Sequence, residues 1–279
     1  MRLAVVDDRA TLLTEAGPVD VHRASEGRFP ADIAALYAVW DEFRTWAGAH
    51  PTAAVDAELP LPASLGAVSP RPPQIFAVGL NYVDHAAESG FAVPEAPIVF
   101  TKFASSLTGP FGELNLTGET VDWEVELVAV VGRGGRDIRA EDALDHIAGF
   151  TIGQDYSDRD VQFLGAPAQF SLGKSFPGFA PLGPVLVSPE DMPAPEDTVL
   201  ECTVNGEVMQ SAPLSDLIFP VPELVARLSA VATLMPGDLI FTGTPPGVGF
   251  GRTPRRYLRK GEVVHTSISG IGAMAQTCA

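Results

Sequence analysis

"VDWEVEL" (121–127) places three acids at alternate positions and then runs into the apolar "VAVV" (128–131). Side chains along a strand alternate with period two. Asp122, Glu124 and Glu126 are therefore predicted on one face, and Trp123, Val125 and Leu127 on the other. The apolar continuation predicts that this strand is buried. Two glutamates two residues apart lie roughly 7 Å apart along a strand, close enough for their side chains to converge. At an effective dielectric near 20, two such charges about 4 Å apart repel by roughly 4 kcal/mol. Two readings remain open for this stretch: a solvated edge strand, or an oxygen-ligand site for a hard divalent ion such as Mg²⁺, Mn²⁺ or Ca²⁺.

Outward from this strand, the composition sets the class of molecule. The 279 residues suffice for one large domain or a small one plus a medium one, and 46% hydrophobic against 19% charged residues is a globular balance. A net charge of −17 argues against nucleic acid and anionic membrane as partners, since both require a basic face. Only Cys202 and Cys278 are present, so neither a disulfide framework nor a cysteine zinc site is available. The N-terminal "MRLAVVDDRA" does not read as a signal peptide, and "ELVARLSAVATLM" (223–235) is too short for a bilayer span. A soluble, cytoplasmic protein is expected.

Residues 30–50 carry Leu36, Val39, Trp40, Phe43 and Trp46 at helical spacing, which predicts one amphipathic helix packed on a core. Five prolines in the fifteen positions 59–73 exclude a helix or a central strand there. A boundary is placed near residue 70, separating a small N-terminal domain (1–70) from a larger domain (71–279), the one expected to carry the chemistry considered below. Beyond it come short strand-like segments: "QIFAVGL", "PIVFTK", "VELVAVVG", "GFTIGQD", "VLECTVNGE" and "DLIFTG". "VNGE" (204–207) carries the Asn-Gly signal of a tight hairpin. Helices are predicted near 139–149 and 221–235, the second opened by Pro222. Strands and helices do not alternate regularly, so a doubly wound sheet is disfavoured and a β-rich α+β fold is expected.

Two glycine-bearing stretches are false leads. "GKS" (173–175) lacks the upstream glycine of a P-loop, because Ala168 stands there, and "FPGFAPLGP" follows where a helix is required. "GTPPGVGFG" (243–251) does not match dinucleotide-binding spacing. More telling is Asp155, at the end of "GFTIGQD", where a third carboxylate is placed to complete a set with Glu124 and Glu126. Arg159 and Gln162 follow it, with Lys174 twelve residues beyond Gln162; Lys102 stands in "VFTKFASS". His85 and Glu88, three apart in "GLNYVDHAAES", fit a base and its orienting acid on one side of a helical turn. Taken singly, each has a plain structural reading as a solvated or satisfied side chain.

Taken in order, "GLNYVDHAAE", "FTK", "VDWEVEL", "GQDYSDRDVQ", "LGKSF…FAPLGP", "VNGE", "PGDLIFTGTPPGVG" and "ISGIG" resemble the fumarylacetoacetate hydrolase family, over residues 74–272. The resemblance implies that family's C-terminal domain fold, a mixed β-sandwich or roll, preceded by a small variable N-terminal domain. It implies Glu124, Glu126 and Asp155 as ligands of a divalent metal, Mg²⁺ first, with Mn²⁺ or Ca²⁺ as alternatives. It further implies His85 and Glu88 as a water-activating dyad on a lid and Lys174 beside the substrate's oxygens. Arg159, Gln162, Thr244 and Lys102 would be substrate-binding, and Asp122 structural. The implied substrate is a small 2-oxo acid and the implied assembly a homodimer.

The implied chemistry is metal-dependent hydrolysis of a C–C bond in an acylpyruvate-type 1,3-diketo acid through a pyruvate enolate. Oxaloacetate decarboxylation and isomerisation of an unsaturated 2-oxo diacid share that enolate and are the alternatives; a non-catalytic metal-binding role is a third. The chain departs from the usual pattern at Pro177-Gly178 and at Tyr156 and Asp158. Each of these puts the usual substrates in question and leaves the ligand set intact.

Overall fold

The computed structural model describes residues 1–50, 64–84 and 94–279. The run that followed the three acids forms the strand Val125–Val131, buried at every position. It lies inside a mixed ten-stranded sheet. The strand order is Gly17–Asp20, Arg9–Thr14, Arg2–Val6, Ala180–Val187, Ile147–Gln154, Val125–Val131, Leu239–Phe241, Ile75–Gly79 and Ile98–Phe100, with Leu107–Thr108 added beside Ala180–Val187. Leu239–Phe241 runs parallel to Ile75–Gly79 and antiparallel to Val125–Val131. A second sheet of five strands is ordered Glu207–Pro213, Val199–Val204, Val263–Ile268, Gly272–Cys278 and Phe111–Leu114. The fold is thus sheet-rich α+β.

Period-two alternation divides the central strand between two cores. Val125, Leu127, Ala129 and Val131 face a cluster that includes Leu200, Cys202 and Val204 of the second sheet and Leu224, Val225 and Leu228 of the helix Val221–Val231. Val128 and Val130 face the other cluster, with Leu36, Trp40 and Phe43 from the N-terminal helices. Burial on both faces accounts for the unbroken apolar run. Glu124 and Glu126 precede Val128 and Val130 with the same parity, so they share the second face at the strand's opening end.

The three acids do not share one strand. Val121–Asp122 pairs with Ser157–Asp158 as a separate two-stranded ladder, and the main strand restarts at Val125. Asp122 is turned away by competing partners, most of them distant in the chain: its carboxylate accepts from the backbone N–H groups of Trp123, Gly249 and Phe250 and from Arg159. Two glutamines bridge the break. Gln154 Oε1 accepts from the Glu124 N–H at 2.8 Å and Gln210 Oε1 from the Val125 N–H at 3.0 Å.

The residues before the proline-rich stretch contribute to the same sheet. Arg2 pairs with Val187 and Leu3 with Leu186, so strands from both sides of position 70 lie in one ladder. The helix expected over 30–50 is divided into Ile33–Leu36, a 3₁₀ turn Tyr37–Val39 and Trp40–Ala47. Its apolar stripe is retained at Leu36, Trp40 and Phe43, whereas Val39 is exposed. Near 139–149 only Ala140–Asp142 and Ala143–His146 are helical, because the strand Ile147–Gln154 begins there. The helix opened by Pro222 ends at Val231. At the hairpin, Asn205 (φ 51°) and Gly206 (φ 82°) both adopt the left-handed conformation that a type I′ turn requires.

Candidate active site

Glu124, Glu126 and Asp155 meet where the strand Val125–Val131 opens and the strand Ile147–Gln154 ends. Each presents a carboxylate oxygen within 4.8 Å of the others, and all three residues are buried. The Asp155 N–H donates to the Glu124 carbonyl at 2.9 Å, which fixes the relative height of the two ligand-bearing segments. Gly243 (φ 101°) turns the chain so that its N–H donates to Glu126 Oε2 at 2.8 Å. A side chain at that glycine would meet Asn81 Cβ at 2.7 Å, so the close approach suits glycine alone.

Three cations crowd the acids. Lys174 Nζ donates to Glu124 Oε2 at 2.8 Å and to Asp155 Oδ2 at 2.6 Å. Lys102, fully buried, donates to Asp155 Oδ1 at 2.6 Å and to the Lys174 carbonyl, tying the lysine segment to the ligand. Arg159 grips Asp122 through Nε and Nη2, meets Glu124 Oε1 at 2.7 Å and donates to Gln162 Oε1 at 2.7 Å. Thr244 Oγ1 donates to the Val125 carbonyl at 2.9 Å and accepts from Gln210 at 2.8 Å. A cavity of about 40 Å³ opens on Glu124, Glu126, Arg159, Gln162, Lys174 and Thr244. That is space for roughly three water-sized occupants. Lys102 and Asp155 lie behind its wall. His85 and Glu88, with the lid expected to carry them, fall outside the described residues.

The electrostatics favour a further cation. Asp122, Glu124, Glu126 and Asp155 face Lys102, Lys174 and Arg159, a formal excess of one negative charge. Burial, reinforced by Asp155 and Glu124, pushes the Glu126 carboxyl well above its ordinary range, while Lys174 and the Gly243 N–H pull the other way. Burial alone would lower the Lys174 pKa, but Asp155 and Glu124 outweigh it and keep the ammonium protonated. An all-carboxylate donor set strained toward protonation fits a hard divalent ion, which would hold Glu126 ionised. A divalent ion would turn the local excess to one positive charge and suit the site to an anionic substrate.

The comparisons with known proteins place this geometry in a family. Residues 74–279 match the model of the fumarylacetoacetate (FAA) hydrolase C-terminal family. The chain belongs to that family. It is 46% identical over 206 residues to a mitochondrial oxaloacetate tautomerase of Homo sapiens, a match covering 73% of this chain and 66% of the relative. The chain thus spans just under two thirds of that relative's length. Among solved structures, a protein from Mycobacterium smegmatis described as HpcE is 49% identical with a TM-score of 0.93, covering 100% of this chain and 99% of that one. Fumarylacetoacetate hydrolase from Exiguobacterium antarcticum is 32% identical with a TM-score of 0.83, covering 99% and 98%. Family relatives are thus enzymes of small molecules. No described helix is long and apolar enough to cross a membrane.

Residues the sequence did not single out complete the site. Gln154 and Gln210 hold the backbone of the ligand-bearing strand, and each was legible only as an amide inside an apolar strand-like run. Phe100, Phe163, Phe170 and Phe250 wall the cavity. They come from four separate segments, so no local periodicity could connect them.

Proposed function

We propose that the protein is a divalent-metal-dependent enzyme that interconverts the keto and enol forms of a small 2-oxo acid of the oxaloacetate type. The observation that carries this is the buried convergence of Glu124, Glu126 and Asp155 with the Lys174 ammonium set between two of them. When bound, the ion supplies Lewis-acid charge to the paired oxygens of a 2-oxo carboxylate. Lys174, held protonated, faces the oxygen on which negative charge develops as the C3 proton leaves and the electron pair forms the C2–C3 double bond. Its position is set in advance by Glu124 and Asp155, so little reorganisation accompanies the charge. Lys102 positions Asp155 and the Lys174 backbone, and Arg159 fixes Glu124 against Asp122. The aromatic wall keeps bulk water from this charge. His85, oriented by Glu88, is assigned the proton that moves between C3 and oxygen. The 46% identity to an oxaloacetate tautomerase supports this choice of reaction. The test is the ultraviolet decay of oxaloacetate enol, which should accelerate with Mg²⁺ and protein and return to the background rate with chelator. An unchanged rate in the presence of Mg²⁺ would overturn it.

The likeness to fumarylacetoacetate hydrolase over almost the whole chain favours a second reading, hydrolysis of an acylpyruvate. The same enolate would then be the leaving group, and His85 would deprotonate water. Release of pyruvate from acetylpyruvate, without comparable enol turnover, would decide for it. Assembly as a homodimer and residence in the cytoplasm complete the proposal. Sedimentation should give twice the chain mass of 29.4 kDa.

A further inference from the structure

In a chain of charge −17, the cations are concentrated in one short run. Residues 252–260 carry Arg252, Arg255, Arg256, Arg259 and Lys260, five of the 18 lysines and arginines, and no acid. Two of the five are engaged within the fold. Arg252 donates to the Met209 and Gly247 carbonyls, and Arg256 pairs with Glu262. Arg255, Arg259 and Lys260 are exposed, and their side chains have no hydrogen-bond or ion-pair partner among the described residues.

These three line one hollow of about 470 Å³, together with Glu119, Leu116 and Tyr257. It is separate from the cavity at Glu124, Glu126 and Lys174. Phe250 stands between the two. Phe163 stacks on its ring at 5.0 Å and the Arg255 guanidinium lies 4.2 Å from its centroid, too close for both to share one face. The run that carries the cations is anchored. The Leu258 N–H donates to the Val121 carbonyl, the Arg259 N–H to Glu262 and the Gly261 N–H to the Cys278 carbonyl, each at 2.8 Å. On the other segment, the Leu116 N–H donates to the Ala279 carbonyl at 3.3 Å. Three cations against Glu119 leave the hollow a formal excess of two positive charges. Glu119 forms no ion pair with any of them among the described residues.

We propose that this hollow is a second ligand site, which binds a diphosphate group through Arg255, Arg259 and Lys260. It does not rest on the enolate reading, and its ligand does not enter the site at Glu124. A carboxylate has too few oxygens to meet three cationic heads, whereas a diphosphate meets all three and carries more than one negative charge. The guanidinium fork matches phosphate oxygens in pairs, and the lysine adds a point charge. Stacking on Phe250 holds the plane of Arg255 while its N–H edge stays free to donate. The diphosphate is either the inorganic anion or part of a nucleotide, whose ring system Leu116 and Tyr257 would meet with apolar surface.

Titration calorimetry in excess Mg²⁺, with and without oxalate to occupy the site at Glu124, tests the hollow. The probes are magnesium pyrophosphate and magnesium ADP. Wild type should bind at least one of them, with oxalate present or absent. Arg259→Gln combined with Lys260→Gln should weaken that binding about tenfold or more, the scale of a hydrogen bond to a charged group, and leave turnover of oxaloacetate enol unchanged. Glu119→Gln removes an acid from the hollow and should tighten binding severalfold, a gain that damage to the fold cannot produce. Tighter binding of ADP than of pyrophosphate assigns the hollow to a nucleotide, and equal or weaker binding assigns it to the inorganic anion; either result upholds the site. Four results overturn it: no binding to wild type, equal binding by the double variant, no tightening in Glu119→Gln, or binding that oxalate abolishes.

Discussion

Glu126→Gln separates the two effects that meet at the metal cluster. The substituted amide keeps the shape of the side chain and an oxygen for the Gly243 N–H, but removes a carboxylate pressed by burial, Asp155 and Glu124. Because the folded-state pKa is raised, the unfolded chain ionises first as pH rises above the ordinary value of 4.5. Over that window the native state binds more protons, so wild-type stability without metal falls as pH increases toward the raised value. Below it, both states are protonated and the penalty is absent. The variant has no such titration, and without metal at pH 7 it should melt at or above the wild-type temperature. With Mg²⁺ at a hundred times its dissociation constant, wild type gains about 2.7 kcal/mol by mass action, or about 5 °C for a chain of this size. Loss of a charged ligand should weaken binding by about 100-fold or more, beyond the usual effect of outer-shell partners. At the same Mg²⁺ concentration the variant then gains about 0.4 kcal/mol, about 1 °C. Differential scanning calorimetry with Mg²⁺ and with chelator reads both quantities. A variant with the full wild-type Mg²⁺ shift, or one several degrees less stable without metal, would refute the reasoning.

The raised Glu126 pKa also predicts that Mg²⁺ binding expels a proton, so affinity should rise with pH up to that pKa; titrations in buffers of different ionisation enthalpy should reveal the release, and its absence at mildly acidic pH would count against it. His85→Ala should keep Mg²⁺ affinity and oxalate binding but lose C3 proton exchange by about 100-fold, the scale of a general base. Decarboxylation of oxaloacetate needs no such proton transfer and should fall less; loss of metal together with activity would return His85 to the framework. Gly206→Ala, at φ 82° in the hairpin, should cost about 1 kcal/mol in urea denaturation while leaving turnover unchanged.

What could be read from the chain followed how local each cause is. The strand 125–131 was legible because burial on both faces writes an unbroken apolar run, and the Asn205-Gly206 turn because two left-handed residues are needed there. The grouping of Glu124, Glu126 and Asp155 was approachable from strand parity and a strand end. The turning away of Asp122 was not, since its partners Arg159, Gly249 and Phe250 lie 37 to 128 positions away. Nor was the use of Lys102 and Arg159 inside the ion-pair network, because a lone cation in a sequence reads the same whether it meets a substrate or a neighbour. The helix over 30–50 was read from its stripe, which survives, although the 3₁₀ turn at Tyr37–Val39 interrupts the hydrogen-bond ladder that spacing alone implied.

The most direct test of the central claim is nuclear magnetic resonance of a stable 2-oxo diacid in deuterium oxide, following loss of the C3 protons with protein and Mg²⁺. Wild type should exchange them well above the rate of buffer with Mg²⁺ alone. Chelator, Glu126→Gln and Lys174→Met should each bring the rate back toward that background while the fold persists. Exchange that continues undiminished in Glu126→Gln, or that never exceeds the Mg²⁺ background in wild type, would contradict enolate formation at Glu124, Glu126 and Asp155.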